Sequence, residues 1–301
     1  MHNYMNYKIN STTKKVNWEY YLNIYRKNRN FNPKNFTDKK ILKFNDYLGK
    51  NKLSGAVLSV SGGVDSAVTL ALLKKIFELK NSNLKKIMAI NQPIKSSNWA
   101  LERAKELCDK FNIKLNVVDQ SKIFEKIENI VYESTKFIPN KFSSGQMKSY
   151  MRTPINYYCS QLLSQEGYPS LVVGTGNMDE DGYLAYFCKA GDGVVDIQLI
   201  SDLHKSEVFL LGKYLQVPDS ILNAKPSADL WDGQEDESEL GFSYDFIEFF
   251  TGFFLNLSEE NKKKILENLT DISKNEFINY KKKCTEIHNR NKHKLNGVIN
   301  L

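Results

Sequence analysis

The 301-residue chain is long enough for one large domain with a full core, and 42 Lys and Arg against 35 Asp and Glu leave a formal charge of only +7. That mild excess lies largely in runs such as Lys262-Lys263-Lys264 and Lys281-Lys282-Lys283, which read as solvated faces; no arginine-rich segment interleaved with aromatics marks a nucleic-acid stripe. The 4 Cys and 4 His are scattered without zinc spacing, no apolar run reaches membrane length and the polar start lacks a leader's apolar stretch, so a cytoplasmic protein with free thiols and neither membrane nor nucleic acid as partner is expected.

In chain order, residues 1–17 read as a loose tail. Trp18–Arg29 and Asp38–Lys50 have amphipathic helical spacing and are separated by Phe31-Asn32-Pro33. Strand and helix patterns then alternate. Ala56–Val60 precedes a helix near Ser66–Leu79, Lys86–Asn91 one near Asn98–Phe111, and Lys114–Val118 one near Ser121–Glu133. A longer helix near Ser144–Gln165 precedes the short apolar strand Leu171–Val173. This alternation predicts an α/β fold, a doubly wound parallel sheet flanked by helices, with helical N- and C-terminal parts. The expected division is a tail and helix over 1–35 and a single domain over 36–301.

The segment Ser61-Gly62-Gly63-Val64-Asp65-Ser66 lies between the first strand and its helix. A glycine-rich turn there presents backbone N–H groups at a helix N-terminus, where the macrodipole favours an anion. Gly62 and Gly63 let the backbone approach phosphate oxygens, Ser61 and Ser66 offer hydroxyl donors, and Asp65 can hold a divalent cation against phosphate. A Walker loop is excluded, because no Gly-Lys-Ser/Thr follows. The turn resembles the pyrophosphate loop of the ATP pyrophosphatases, which cleave ATP between the α- and β-phosphates and adenylate a substrate oxygen. That superfamily has the adenine nucleotide α-hydrolase-like fold.

Further along, the resemblance narrows to the NAD synthases. Gly174-Thr175-Gly176-Asn177-Met178-Asp179-Glu180 resembles their second nucleotide motif, which implies that Thr175 contacts ATP and that Glu180 joins Asp65 on Mg²⁺. Two carboxylates at the ends of neighbouring strands suit a hard cation bridging phosphate oxygens. Lys189-Ala190-Gly191-Asp192-Gly193-Val194-Val195-Asp196 is similar to a family segment whose Lys and final Asp, here Lys189 and Asp196, contact deamido-NAD. Lys205, in Leu203-His204-Lys205-Ser206-Glu207-Val208, stands at a helix start where a family lysine meets ATP phosphates. Lys225-Pro226-Ser227-Ala228-Asp229-Leu230-Trp231, followed by Asp236-Glu237 and Leu240-Gly241-Phe242-Ser243-Tyr244, matches a loop, acidic stretch and helix start in which the Ser227 hydroxyl contacts phosphate. His293-Lys294 matches a pair at the deamido-NAD end.

The resemblance runs over residues 38–295 and implies an ammonia-dependent NAD synthase that amidates deamido-NAD through an adenylate, using ATP and Mg²⁺ and releasing AMP and pyrophosphate. Asp65, Lys205 and Ser227 are its expected catalytic residues, and a homodimer is expected. The stretch before the loop is too short for a glutamine-hydrolysing domain, so ammonia is free or comes from a separate donor protein. The pattern also departs from the family. In Gly145-Gln146-Met147-Lys148-Ser149-Tyr150-Met151-Arg152, Tyr150 replaces an arginine that contacts deamido-NAD, and Cys188 and Ala190 replace a usual Thr and Tyr. Arg152, Lys148 and Lys189 are the cations available in compensation. An amidating or adenylating enzyme of the same superfamily with a different carboxylate or carbonyl acceptor is the alternative.

Overall fold

The computed structural model describes residues 14–298 and 300, apart from 228, 231 and 232. The expected tail therefore falls outside the described residues up to 13, and Ala228 and Trp231 of the matched loop do so as well. Of the rest of that tail, Val16 is tied down: its N–H donates to the Asn268 carbonyl at 3.0 Å, and its carbonyl accepts from Thr270 at 3.0 Å.

Helix α1 spans Trp18–Arg29 and α2 Pro33–Lys50. The second helix starts five residues before the expected Asp38, because Asn32 and Pro33 begin it instead of separating it. Asn32 Oδ1 accepts from Asn35 N at 2.9 Å, and a proline at N1 has no N–H to lose. The chain then runs β1 (Gly55–Ser59), α3 (Val64–Phe77), β2 (Lys86–Asn91), α4 (Asn98–Lys110), β3 (Leu115–Val117), α5 (Ser121–Thr135), α6 (Lys141–Gln165) and β4 (Ser170–Gly174). A two-residue β5 (Ile197–Gln198) follows, too short for periodicity to reveal, and then α7 (Lys205–Tyr214), α8 (Asp219–Leu222), α9 (Asp236–Leu240), α10 (Tyr244–Ile247), α11 (Glu259–Asn268) and α12 (Asp271–Asn291).

All strand pairs are parallel, in the order β3-β2-β1-β4-β5. The order reverses between β1 and β4, so the crevice beyond their carboxyl ends is where such a sheet binds ligands. Alternation along β1 decides what covers each face. Ala56 and Leu58 join the large core of α2, α3, α4 and α7, while Val57 packs with Ile90 against Leu163 of α6. A second core joins α1 to the C-terminal third through Trp18, Tyr21, Tyr25, Phe246, Phe249, Phe250, Phe253 and Phe277. Among the described residues no helix is long and apolar enough to cross a membrane.

Candidate nucleotide site at the sheet switch point

The turn after β1 is held by its own side chains. Ser61 Oγ lies 3.1 Å from Ser66 Oγ and accepts the Gly63 N–H at 3.2 Å, while Ser66 Oγ donates to the Gly63 carbonyl at 3.0 Å. Gly62 has φ +87°, and a Cβ there would collide with the Ala100 carbonyl of α4. Its glycine is thus required by backbone conformation and by a neighbouring helix, and Gly62 is not among the residues lining the cavity above the turn.

Above this turn lies a cavity of about 740 Å³, lined by Ser61, Gly63, Asp65, Ser66, Thr175, Glu180, Lys205, Ser227, Arg152 and Lys294 among others. Residues from β1, β4, α6 and α7 therefore converge at the strand-order switch. Lys189, Asp196 and His293 are not among the lining residues. Lys189 Nζ instead donates to the Gly297 carbonyl at 3.1 Å, Asp196 Oδ2 accepts from Val172 N at 2.7 Å beside the sheet, and His293 Nδ1 lies 2.9 Å from the Arg290 carbonyl.

The centre of the cavity is one cation between two carboxylates. Lys205 Nζ donates to Asp65 Oδ2 at 2.6 Å and to Glu180 Oε1 at 2.7 Å. Asp65 lies in the first turn of α3 and Glu180 in a short π-helical segment, Met178–Tyr183, after β4, and neither faces open solvent: their side chains are 17% and 19% exposed, and that of Lys205 is 5% exposed. Burial disfavours the ammonium, yet the two carboxylates outweigh it and hold Lys205 well above the ordinary lysine range. Burial pushes the Asp65 carboxyl up despite Lys205. For Glu180, burial is outweighed by Lys205 and by the Tyr244 hydroxyl, which keep it ionised below its usual range.

Three further groups complete the cluster. Tyr244 Oη lies 2.6 Å from Glu180 Oε1 and 3.0 Å from Asp236 Oδ2. One hydroxyl hydrogen cannot serve both acids at once; burial and the Glu180 charge push the Asp236 carboxyl up to about 6. Asp236 Oδ1 finds no hydrogen-bond partner among the described residues. Asp181, also in the lining, is raised to about 7 by burial and by Glu180. Sequence patterns alone did not place Asp181 and Asp236 at the cavity and marked Tyr244 only as a helix start; the signal available was the position of Asp236 and Tyr244 within the matched stretch.

Arg152, also in the cavity lining, is half-buried, and burial lowers its guanidinium although Asp192 and Asp229 oppose this. It makes no ion pair within 4 Å among the described residues. Tyr150 lies outside the cavity, its hydroxyl donating to Gln146 Oε1 at 3.0 Å. Lys148 is buried and donates to the Leu230 carbonyl at 2.8 Å.

A parallel sheet whose switch point gathers a glycine-rich strand-to-helix turn and a carboxylate pair around one cavity defines a nucleotide-handling α/β protein. The chain belongs to the NAD synthase family, whose model matches residues 37–297. It is 36% identical over 197 residues to the NH(3)-dependent NAD(+) synthetase of Carboxydothermus hydrogenoformans, covering 65% of this chain and 76% of that one. It is 36% identical over 224 residues to that of Mesoplasma florum, covering 74% and 86%. Among solved structures, an NMN synthetase from Francisella tularensis superposes with a TM-score of 0.71 at 31% identity, over 90% of this chain and 99% of the other. An NH3-dependent NAD synthetase from Campylobacter jejuni in complex with nitrate shares the fold at TM-score 0.65 and 24% identity, over 90% and 99%.

Proposed function

We propose that this chain is a ligase that forms a C–N bond by amidating the nicotinate carboxylate of deamido-NAD, with ammonia as nitrogen donor and ATP cleaved to AMP and pyrophosphate. The observation that carries this reading is the buried Asp65–Lys205–Glu180 cluster, which adjoins the Ser61–Ser66 turn through Asp65 and lines the switch-point cavity with it. The acceptor carboxylate attacks the α-phosphate, and ammonia then displaces AMP from the acyl adenylate. Such a reaction needs little acid–base chemistry, because a carboxylate is already a nucleophile. What it needs is preorganised positive charge around a transferring phosphoryl group.

The cluster fits Mg²⁺, since Lys205 Nζ already marks a cation position between the two acids, and Mg²⁺ takes one or two carboxylates plus phosphate oxygens. Asp65 and Glu180 would hold it, and it would neutralise the phosphate oxygens and the departing pyrophosphate. Lys205 then serves the same phosphates, while Thr175, Ser227 and the Ser61, Gly62, Gly63 and Ser66 turn bind the rest of ATP. Arg152 and Lys294 bind the acceptor from the other wall. Lys189, Asp196 and His293 reach an acceptor only at its periphery, where a second copy of the chain would complete the site.

The test is a product assay with ATP, Mg²⁺, deamido-NAD and ammonium: NAD, AMP and pyrophosphate are expected in equal amounts. ADP and phosphate in their place would overturn the reading, and efficient use of glutamine by the isolated chain would overturn the ammonia assignment. Two observations favour a second reading, in which the acceptor is the shorter nicotinate mononucleotide. The Francisella tularensis relative is an NMN synthetase, and three residues implied for the dinucleotide end, Lys189, Asp196 and His293, lie outside the cavity. The same assay run with both acceptors separates the two.

Arg152→Ala should raise the apparent constant for the acceptor about 10-fold or more and leave that for ATP within about 2-fold, because an unpaired guanidinium gives a charge-assisted contact of roughly 1.5–3 kcal/mol. Tyr150→Phe should be mild, its hydroxyl being spent on Gln146. An Arg152→Ala defect confined to ATP would move the acceptor to another wall.

A homodimer and a cytoplasmic location belong to the same proposal. Large apolar side chains stand exposed along α5 and α6, among them Ile130, Phe142 and Tyr158 at 58%, 61% and 62%. Light scattering at micromolar concentration should give twice the chain mass; a fully active monomer would refute the dimer.

A further inference from the structure

We propose that α1, which precedes the stretch matched by the family model, is a positioning element of the nucleotide site: Tyr25, Arg26 and Arg29 hold the first turn of α7 so that Lys205 is aimed at the phosphates. This rests on the assignment of Lys205 to ATP made above.

Three side chains on one face of α1 meet the neighbours of Lys205 on both sides. Tyr25 Oη lies 2.8 Å from His204 Nε2, and His204 Nδ1 lies 2.7 Å from Asp179 Oδ1. Asp179 Oδ2 in turn accepts the backbone N–H of Lys205 at 2.8 Å. The tautomer that satisfies both ring contacts carries its proton on Nδ1 and accepts from the Tyr25 hydroxyl at Nε2. Arg29 Nη2 donates to Glu207 Oε2 at 2.8 Å, and the same oxygen accepts the His204 N–H at 3.0 Å. Arg26 Nη2 donates to Glu248 Oε2 at 2.6 Å, which also accepts the Ser206 hydroxyl at 2.7 Å.

His204, Asp179, Glu207 and Glu248 are each at most 3% exposed. Polar groups buried so deeply are costly to leave unpaired, so their contacts admit one arrangement of the α7 start. Gly252 keeps the path open, because a Cβ there would meet both Tyr25 Oη and His204 Nε2. Lys205 spans two carboxylates only from this depth, and its backbone is fixed by Asp179, immediately before Glu180. The network therefore aligns the cation and one of its acids together.

The experiment is a double-mutant cycle on the full chain, reading the affinity for the α,β-methylene analogue of ATP with Mg²⁺ by calorimetry. Tyr25→Phe removes one hydroxyl and keeps the ring packed near Phe253. It should weaken binding about 5-fold, one hydrogen bond's worth. In a Lys205→Met background the same change should have less than about a 2-fold effect, because there is no ammonium left to aim. His204→Ala should cost about 10–100-fold, and His204→Asn, whose Nδ2 can replace Nδ1 toward Asp179, should recover most of it. Equal losses in both backgrounds, no loss in either, or His204→Asn as impaired as His204→Ala would overturn the positioning role. A wild-type chain that bound no analogue would instead overturn the ATP assignment on which it rests.

Discussion

Lys205→Met is expected to lose at least about 10²–10³ in the rate of pyrophosphate release at saturating ATP and Mg²⁺, the scale set by removing one preorganised charge from a water-excluded site. The residue is only 4% exposed, its ammonium is shared by two acids, and its stem lies by Tyr244, whose ring centroid is 5.0 Å from Nζ. Such an ammonium cannot be replaced by solvent. Its folded-state pKa is raised above the ordinary 10.5, so the stabilisation it gives is complete below that value and is lost only as pH rises through the folded pKa. Lys205 should therefore place no break in a pH–rate profile between 6 and 9. Removing it leaves two acids facing each other, and thermal unfolding should shift down as well, since breaking a buried ion pair by deleting one partner costs about 3–5 kcal/mol. The decisive measurement is the single-turnover rate on material verified as folded by circular dichroism. A folded variant retaining more than about a tenth of the wild-type rate would remove Lys205 from the phosphates.

Asp65→Asn and Glu180→Gln should each lose about 10²-fold or more in rate and raise the Mg²⁺ concentration for half-maximal nucleotide binding at least about 10-fold. The fold should survive, because each variant leaves Lys205 one charged partner and each amide keeps part of its network. The Asp65 carboxylate accepts from Asn177 Nδ2 at 2.9 Å, and Glu180 from Tyr244 Oη at 2.6 Å. Glu180→Gln should be the more severe, since Glu180 stays ionised while burial weakens Asp65 as an anion. A Mg²⁺ titration of nucleotide binding in each variant gives the answer. An unchanged midpoint in either would take that residue out of the cation site.

How far these residues could be read from the chain depends on the range over which their physics acts. Helix starts were legible where a cap or a period lay within a few residues, as at Trp18, Asn98 and Ser121. The start of α2 was misread because Asn32-Pro33 serves equally as a break and as an N-terminus, and local spacing does not distinguish the two. The turn at Ser61–Ser66 was legible as a glycine-rich link between strand and helix, yet the collision that demands glycine at position 62 comes from Ala100, which no local pattern reveals.

By itself the sequence determined the strand–helix alternation, the glycine-rich turn at the first helix and the motifs that carry the family resemblance, all of them signals written within a few residues. Only the tertiary structure decided that Asp65, Glu180 and Lys205 meet within 2.7 Å, that Asp236 and Tyr244 join them, and that Lys189, Asp196 and His293 stay outside the cavity. It also decided that Tyr25 and Arg29 act on residues more than 170 positions away. The reason is the strand order. Reversal between β1 and β4 brings two distant chain segments to one sheet edge, and the Lys205 ammonium buried there finds both Asp65 and Glu180 as partners.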